Sequence, residues 1–112
     1  MSRQFCLRIY TVAPGKLPAL LDRFEKHAVR IFERHGLRSV GYWTQTGVSA
    51  DATTTLVYLL WADNAAAYDA GWTSFRTDPE WAEIKAETEK DGKFVLASES
   101  RMLSACWFSP TR

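Results

Sequence analysis

The sequence predicts an α+β protein of the ferredoxin-like type, a four-stranded antiparallel sheet with its helices on one face. Three observations support this prediction. Apolar residues recur at helical spacing over residues 16–36 and again over residues 64–90. Four stretches rich in β-branched and aromatic residues flank these two segments. Their order along the chain, strand, helix, strand, strand, helix, strand (βαββαβ), is that of a split βαβ unit.

The first strand and the long helix that follows it carry the clearest patterns. Residues Gln4 to Val12 alternate, with Phe5, Leu7, Ile9 and Thr11 on one face and Cys6, Arg8, Tyr10 and Val12 on the other. A turn at Pro14-Gly15 then leads into a helix from Lys16 to Gly36. Its apolar stripe comprises Leu17, Leu20, Leu21, Phe24, Ala28, Ile31, Phe32 and His35, and the charged residues, Arg23 among them, are expected to face water.

The second and third strands are predicted at Leu37 to Thr46 and Thr54 to Ala62, as an antiparallel hairpin around a loop at Gly47 to Thr53. Gly41 inside the second strand indicates a bulge or a close backbone approach. The third strand is apolar on both faces, with Leu56, Tyr58 and Leu60 on one and Val57, Leu59 and Trp61 on the other.

Caps and turns delimit the rest of the chain. Asp63 is the predicted N-cap of a helix from Asn64 to Arg76. Asp78 is the predicted N-cap of a second helical segment that starts at Pro79 and continues to about Lys90. Lys93 to Ala97 is interpreted as a linker or a short edge strand, and Ser98 to Phe108 as the last strand.

Length, charge and hydropathy exclude several classes of function. With 112 residues, the chain is expected to form one domain, 1–112. A net charge of +1 argues against a nucleic-acid partner, which needs a concentrated basic face. The sequence contains no run of about 18 apolar residues, so no membrane span is predicted. The first residues show neither an apolar leader nor an Arg- and Ser-rich presequence, so we expect a cytoplasmic protein.

The third strand also predicts a partner. Helices on one side of a sheet cover a single face, yet this strand carries apolar residues on both. The simplest cover for the second face is another copy of the chain, sheet against sheet, related by a two-fold axis. We therefore expect a homodimer rather than a monomer.

Four sequence stretches resemble the NIPSNAP family. They are LRIYTVAPGKL (Leu7–Leu17), FEKHAVRIFERHGL (Phe24–Leu37), VGYWT (Val40–Thr44) and DPEW (Asp78–Trp81), and the similarity extends from about Leu7 to Phe108. The resemblance implies a dimeric α+β barrel, a superfamily that also contains small cofactor-free monooxygenases. It implies no particular reaction, because the family has no shared one.

Candidate ligand-binding residues are Arg8, Tyr10, His35, Trp43 and Tyr58. With Arg101, the strand residues among them are predicted to share the sheet face away from the helices. They have two interpretations there: a ring-lined cavity for a small apolar or aromatic ligand, or a dimer interface. His35, at the end of the long helix, is interpreted as a packed or C-capping residue, with proton transfer or ligand binding as the alternative.

Other kinds of site are not predicted. The sequence has no phosphate-binding glycine loop, no serine nucleophile elbow and no zinc-type Cys/His spacing, so no cofactor or metal is expected. His27 and His35, the two histidines, lie too far apart along a helix to share a metal. Cys6 and Cys106 are expected on neighbouring antiparallel strands as inert core thiols in a reducing compartment.

Three functional hypotheses follow. The leading one is binding of a small, largely apolar or aromatic molecule in a cleft between the sheet and the helices of a homodimeric α+β barrel. The second is a cofactor-independent monooxygenase or a related enzyme, with His35, Tyr10 or Trp43 near the substrate. The third is an interaction module without a ligand.

Overall fold

The computed structural model describes residues 2–47 and 54–112, and it confirms the predicted α+β fold. The strands are β1 (Gln4–Val12), β2 (Arg38–Thr44), β3 (Thr55–Ala62) and β4 (Val95–Leu103). They form one antiparallel sheet in the order β2-β3-β1-β4. The helices are α1 (Leu17–Arg23), α2 (Val29–Arg34), α3 (Ala65–Arg76) and α4 (Pro79–Thr88). Most of the loop predicted between β2 and β3, residues 48–53, lies outside the described residues.

The long helix contains a π-helical turn that the sequence did not predict. The turn spans Phe24–Ala28 and separates α1 from α2. Single π turns inside α-helices are frequent at functional sites. Pro18 occupies the first turn of α1, as expected, and Gly36 ends α2 with a φ of 78°. The prediction that Arg23 faces water is wrong, because its side chain is buried with 5% exposure.

Helices cover one face of the sheet. Leu56, Tyr58 and Leu60 of β3 are buried on that side, and the Tyr58 ring lies 5.1 Å from the ring of Phe24 in the π turn. The side chains between them on β3 are half-buried and point the other way. We call this second side the open face; its apolar members include Leu7, Ile9, Trp43, Val57, Leu59 and Trp61.

A bulge in β2 confirms the expectation drawn from Gly41. The register with β3 shifts between Ser39 and Gly41. As a result Ser39 and Tyr42 lie on the same face, where their hydroxyl oxygens are 2.6 Å apart. On the open face the Trp43 ring folds over Gly41, and a β-carbon at Gly41 would lie 2.6 Å from that ring. The close approach explains the glycine.

Predicted boundaries of the last strand and of α3 were wrong. The last strand begins at Val95 and not at Ser98, so part of the predicted linker belongs to it. The last strand ends at Leu103, because Leu103 pairs with Phe5 and β1 offers no residues beyond Gln4 for a longer ladder. Trp107 and Phe108 are consequently exposed. The cap of α3 is Asn64, whose side-chain oxygen accepts a hydrogen bond from the Ala67 amide, and not Asp63.

The end of β4 at Leu103 also determines the burial of the two cysteines. Cys6 is buried opposite Met102, in agreement with the core thiol that was predicted. Cys106 lies after β4 and is exposed, so its prediction as a core thiol was wrong. Both are free thiols. Among the residues described, we find no helix with the length and apolarity to span a bilayer.

Candidate functional site

A cleft of about 460 Å³ lies between the sheet and the helices. Its floor is the helix-facing side of β1, its walls are the π turn with α2 and α3, and α4 and the start of β4 form its rim. The side chains that line it are aromatic or charged for the most part: Arg8, Tyr10, Arg23, Phe24, Phe32, Trp72, Phe75, Arg76, Trp81, Lys85, Glu89, Lys93 and Ser98, with Ala28 and Val95.

Hydrogen bonds join three side chains at the floor. The Arg8 Nε–H donates to the Tyr58 hydroxyl at 3.0 Å, and the Tyr58 and Tyr10 hydroxyls are 2.7 Å apart. The sheet places them together, because Arg8 is directly opposite Tyr58 in the β1–β3 register and Tyr10 is two residues further along β1. Burial raises the pKa of the Tyr58 phenol well above its usual range, so Tyr58 is neutral.

Arg8 and Tyr10 both line the cleft, whereas Tyr58 lies behind them. Tyr58 is fully buried and its oxygen accepts a hydrogen bond from Arg8, so its own O–H can donate to the oxygen of Tyr10. The Tyr10 proton is then available to an oxygen atom in the cleft. The three residues thus form a chain of hydrogen bonds at the floor, and both of its ends, Arg8 and Tyr10, line the cavity.

Aromatic rings form the walls. The Arg8 guanidinium lies over the Trp72 ring at 4.0 Å, within the range of a cation–π contact. The Phe75 ring is 5.5 Å from that of Trp72 and 4.9 Å from that of Trp81, so the three rings follow one another along α3 and the start of α4. Flat, apolar surfaces of this kind suit another ring.

An ion pair closes the opposite end of the cleft. Arg23 Nη1 lies 2.7 Å from Glu89 Oε2, and the same nitrogen donates to the Thr88 hydroxyl at 3.1 Å. The guanidinium lies near two rings, at 5.0 Å from that of Trp81 and 4.6 Å from that of Phe94. Its buried Nε–H has no hydrogen-bond acceptor among the described residues.

Arg8, Tyr10 and Tyr58 come together as predicted, but the face assigned to them was wrong. They lie on the helix-facing side of the sheet. A strand face that mixes arginine and tyrosine was interpreted as the face away from the core, whereas here their polar atoms satisfy one another and their rings pack against the helices. Trp43 and Arg101 lie on the open face, in register with Val57 and Leu7.

His35 lies outside the lining of the cleft. Its Nε2 is 2.6 Å from Asp78 Oδ2, and Arg34 Nη2 is 2.8 Å from the same oxygen. Asp78 Oδ1 accepts the amide protons of Glu80 and Trp81, which confirms the predicted cap of α4. His35 and the other donors hold the pKa of the Asp78 carboxyl well below its usual range. This geometry agrees with the packed, helix-terminal interpretation of His35; the alternative role in ligand binding stays a prediction.

Sequence reasoning missed the charged residues at the end and rim of the cleft. Trp81, Lys85 and Glu89 are spaced four residues apart, so they follow one stripe of the last helical segment. That spacing was a usable signal, but the acidic residues at positions 80–89 were interpreted as a solvated helix face. Arg23 gave no signal. Within the described part of the chain, no three histidine, cysteine or acidic residues are grouped as a metal site requires.

Comparison with known proteins relates the chain to one family. The family model described as NIPSNAP matches residues 5–110. A NIPSNAP domain protein from Burkholderia xenovorans superposes with a TM-score of 0.77 at 21% identity, covering 96% of this chain and 98% of its own. A NIPSNAP family protein from Agrobacterium tumefaciens superposes with a TM-score of 0.81 at 18% identity, covering 98% of this chain and 99% of its own.

A more distant structure belongs to a different group of proteins. SnoaB, a cofactor-independent oxygenase from Streptomyces nogalater, superposes with a TM-score of 0.62 at 14% identity and covers 98% of this chain and 99% of its own. At this identity the likeness concerns the fold alone. No curated protein matches the chain.

Proposed function

This chain belongs to the NIPSNAP family, and from that premise we propose that it is a homodimer that binds a small aromatic or apolar molecule in the cleft between its sheet and its helices. The observation that carries the proposal is the combination of a ring-walled cavity with a chain of aligned donors at its floor. A volume of about 460 Å³ is ample for a molecule of one to three rings. The family alone names no ligand.

Two kinds of contact would hold the ligand. Its rings would lie against Trp72, Phe75 and Trp81, and an oxygen substituent would accept the proton of Tyr10. Tyr58 is fully buried and therefore acts by positioning Tyr10. Arg8 has both roles, since it orients Tyr58 and lines the cleft. Ligand contacts by Trp43 and His35 stay predictions from the sequence, and neither residue belongs to this proposed contact set.

Ligand binding can be tested with Tyr10→Phe. A panel of small aromatic molecules is first screened by thermal shift, and the dissociation constants of the hits are then measured through tryptophan fluorescence. Loss of one hydrogen bond to the ligand is expected to weaken binding about tenfold. Tyr42→Phe is the matched control, because that hydroxyl bonds to Ser39 outside the cleft, and it should leave affinity unchanged. A panel without a single stabilising compound would favour the interaction module instead.

The homodimer is supported by apolar surface that the single chain leaves uncovered. Trp43 is 52% exposed on the open face, and Leu103 and Phe108, which line a second cavity with Phe5 and Leu59, are 41% and 69% exposed. Patches of this kind on small proteins are typical of interfaces. A cytoplasmic location is part of the same proposal, and the two free cysteines are compatible with a reducing compartment.

A cofactor-independent monooxygenase is the second candidate. The observation that favours it is the hydrogen-bonded pair of Tyr58 and Tyr10 hydroxyls beside the Arg8 cation, a set of donors that would stabilise negative charge developing on a substrate oxygen. The likeness to SnoaB adds the precedent of such an oxygenase on this fold. Oxygen uptake with an electron-rich aromatic substrate, abolished by Tyr10→Phe, would establish this activity. Uptake unaffected by both Tyr10→Phe and His35→Ala would contradict it.

A further inference from the structure

We propose that the cleft selects an anion: a small aromatic molecule that carries a carboxylate or another negatively charged oxygen group. The inference rests on the proposed function, since it names the chemical class of that ligand. The charge of the lining is its first support. Five cationic side chains and one carboxylate line the cleft, so positive charge is in excess by four. The whole chain carries a net charge of +1, so its positive charge is concentrated here.

Four of the five cleft cations have no ion-pair partner among the described residues. Glu89, the one lining carboxylate, is taken by Arg23 at 2.7 Å. Arg8, Arg76, Lys85 and Lys93 make no ion pair with any residue in ranges 2–47 and 54–112. On the outer surface, by contrast, Arg30 and Arg34 share Glu80 and Asp78. Arg3, Lys16, Arg38 and Arg112 also lack an ion pair with the described residues, but they are not part of the lining, whereas four unpaired cations line this one cavity.

Arg23 supplies an independent sign of a missing acceptor. Its side chain is 5% exposed and lines the cavity, yet its Nε–H has no acceptor in the described part of the protein. Buried N–H groups are normally satisfied, by water or a ligand where the protein supplies no acceptor. A ligand oxygen could satisfy this donor, and so could an ordered water. Ring stacking would bind a carboxylate and a neutral ligand of the same shape equally well. Charge complementarity would favour the carboxylate.

The cavity also has an apolar inner part and a cationic rim, which suit the two ends of such a ligand. Trp72 and Phe75 offer flat apolar surface deep in the cleft, whereas the rim cations Arg76, Lys85 and Lys93 are exposed at its edge. A molecule with a ring at one end and an anionic group at the other matches this arrangement. Its ring would be buried and its charge would lie among the cations, in contact with solvent.

The test uses pairs of compounds that differ by one charge. Indole-3-acetate and 2-naphthoate are compared with their uncharged amides, indole-3-acetamide and 2-naphthamide, by calorimetric titration of the full chain. At low salt the carboxylates are expected to bind about tenfold more tightly than the amides, and higher ionic strength should reduce this preference. Equal affinity within both pairs would overturn the inference and leave the proposed function intact. If no member of either pair bound, the proposed function would lose its support as well.

A triple variant separates the local charges from the net charge. Arg76→Gln, Lys85→Gln and Lys93→Gln together should remove most of the preference for carboxylates while leaving the affinity for the amides within about twofold. The matched control removes three cations that do not line the cleft, with Lys16→Gln, Lys26→Gln and Arg112→Gln. An equal loss of preference in the control would show a general charge effect and overturn the proposal. Circular dichroism checks that both variants are folded.

Discussion

Replacement of Glu89 by alanine is expected to lower the free energy of unfolding by about 3 kcal/mol. The carboxylate is the partner of Arg23, whose side chain is 5% exposed, so its removal leaves a buried guanidinium without a counter-charge. For a domain of this size the melting temperature should fall by about 12 °C. The measurement is urea unfolding followed by circular dichroism, together with a thermal melt.

Two comparison variants make this prediction specific. Glu80→Ala removes a carboxylate whose ion pairs with Arg30 and Arg34 are largely exposed, so a far smaller change is expected. A double variant, Arg23→Leu with Glu89→Leu, removes both charges and should recover most of the stability lost in Glu89→Ala. If Glu89→Ala were no less stable than Glu80→Ala, the burial of this ion pair would be contradicted.

Substitution of Val57 by lysine is expected to convert the proposed dimer into a monomer. Val57 lies at the centre of the open face, in register with Ile9 on one side and Trp43 on the other. The two-fold symmetry of such an interface would bring two lysines into the same apolar contact, unpaired. We expect the dissociation constant to rise on the order of a thousandfold.

Sedimentation equilibrium at micromolar concentration measures this change. The unmodified protein should give twice the chain mass of 12.7 kDa, and Val57→Lys the chain mass itself. Leu21→Lys is the matched control, since it adds the same charge at an apolar residue that is 38% exposed on the long helix, away from the open face. A monomeric unmodified protein would refute the dimer, and a dimeric Val57→Lys would refute the open face as its interface.

Predictions from the sequence were most accurate where the signal is local. Asp78 and Pro79 were predicted as the N-cap and the first residue of α4 from two adjacent positions, and both predictions were confirmed. Gly41 correctly indicated the bulge in β2. The alternation along β3 correctly separated Leu56, Tyr58 and Leu60 from their neighbours, because a strand reverses its side chains at every residue.

Predictions failed where a distant part of the chain sets the outcome. The aromatic residues at 107 and 108 favour a strand locally, but β1 has no residues left to pair with them. In the same way, the pattern of β1 defines two faces without stating which of them meets the helices. That choice depends on the packing of Phe24 and Phe32 onto Tyr58, which no local pattern encodes.

The order of the elements and the two apolar faces of the sheet were determined by the sequence alone, since each depends on short-range spacing along the chain. The family followed from the resemblance of whole sequence stretches, and the family model over residues 5–110 confirms it. The tertiary structure decided where the polar groups are. Arg23 and Glu89 are 66 positions apart, and a buried guanidinium is tolerated only because folding brings that carboxylate to it. Arg8, Tyr10 and Tyr58 likewise form a site because the β1–β3 register aligns them under the helices. Contacts between distant residues depend on the whole packing arrangement, so only the tertiary structure decided which residues line the cleft.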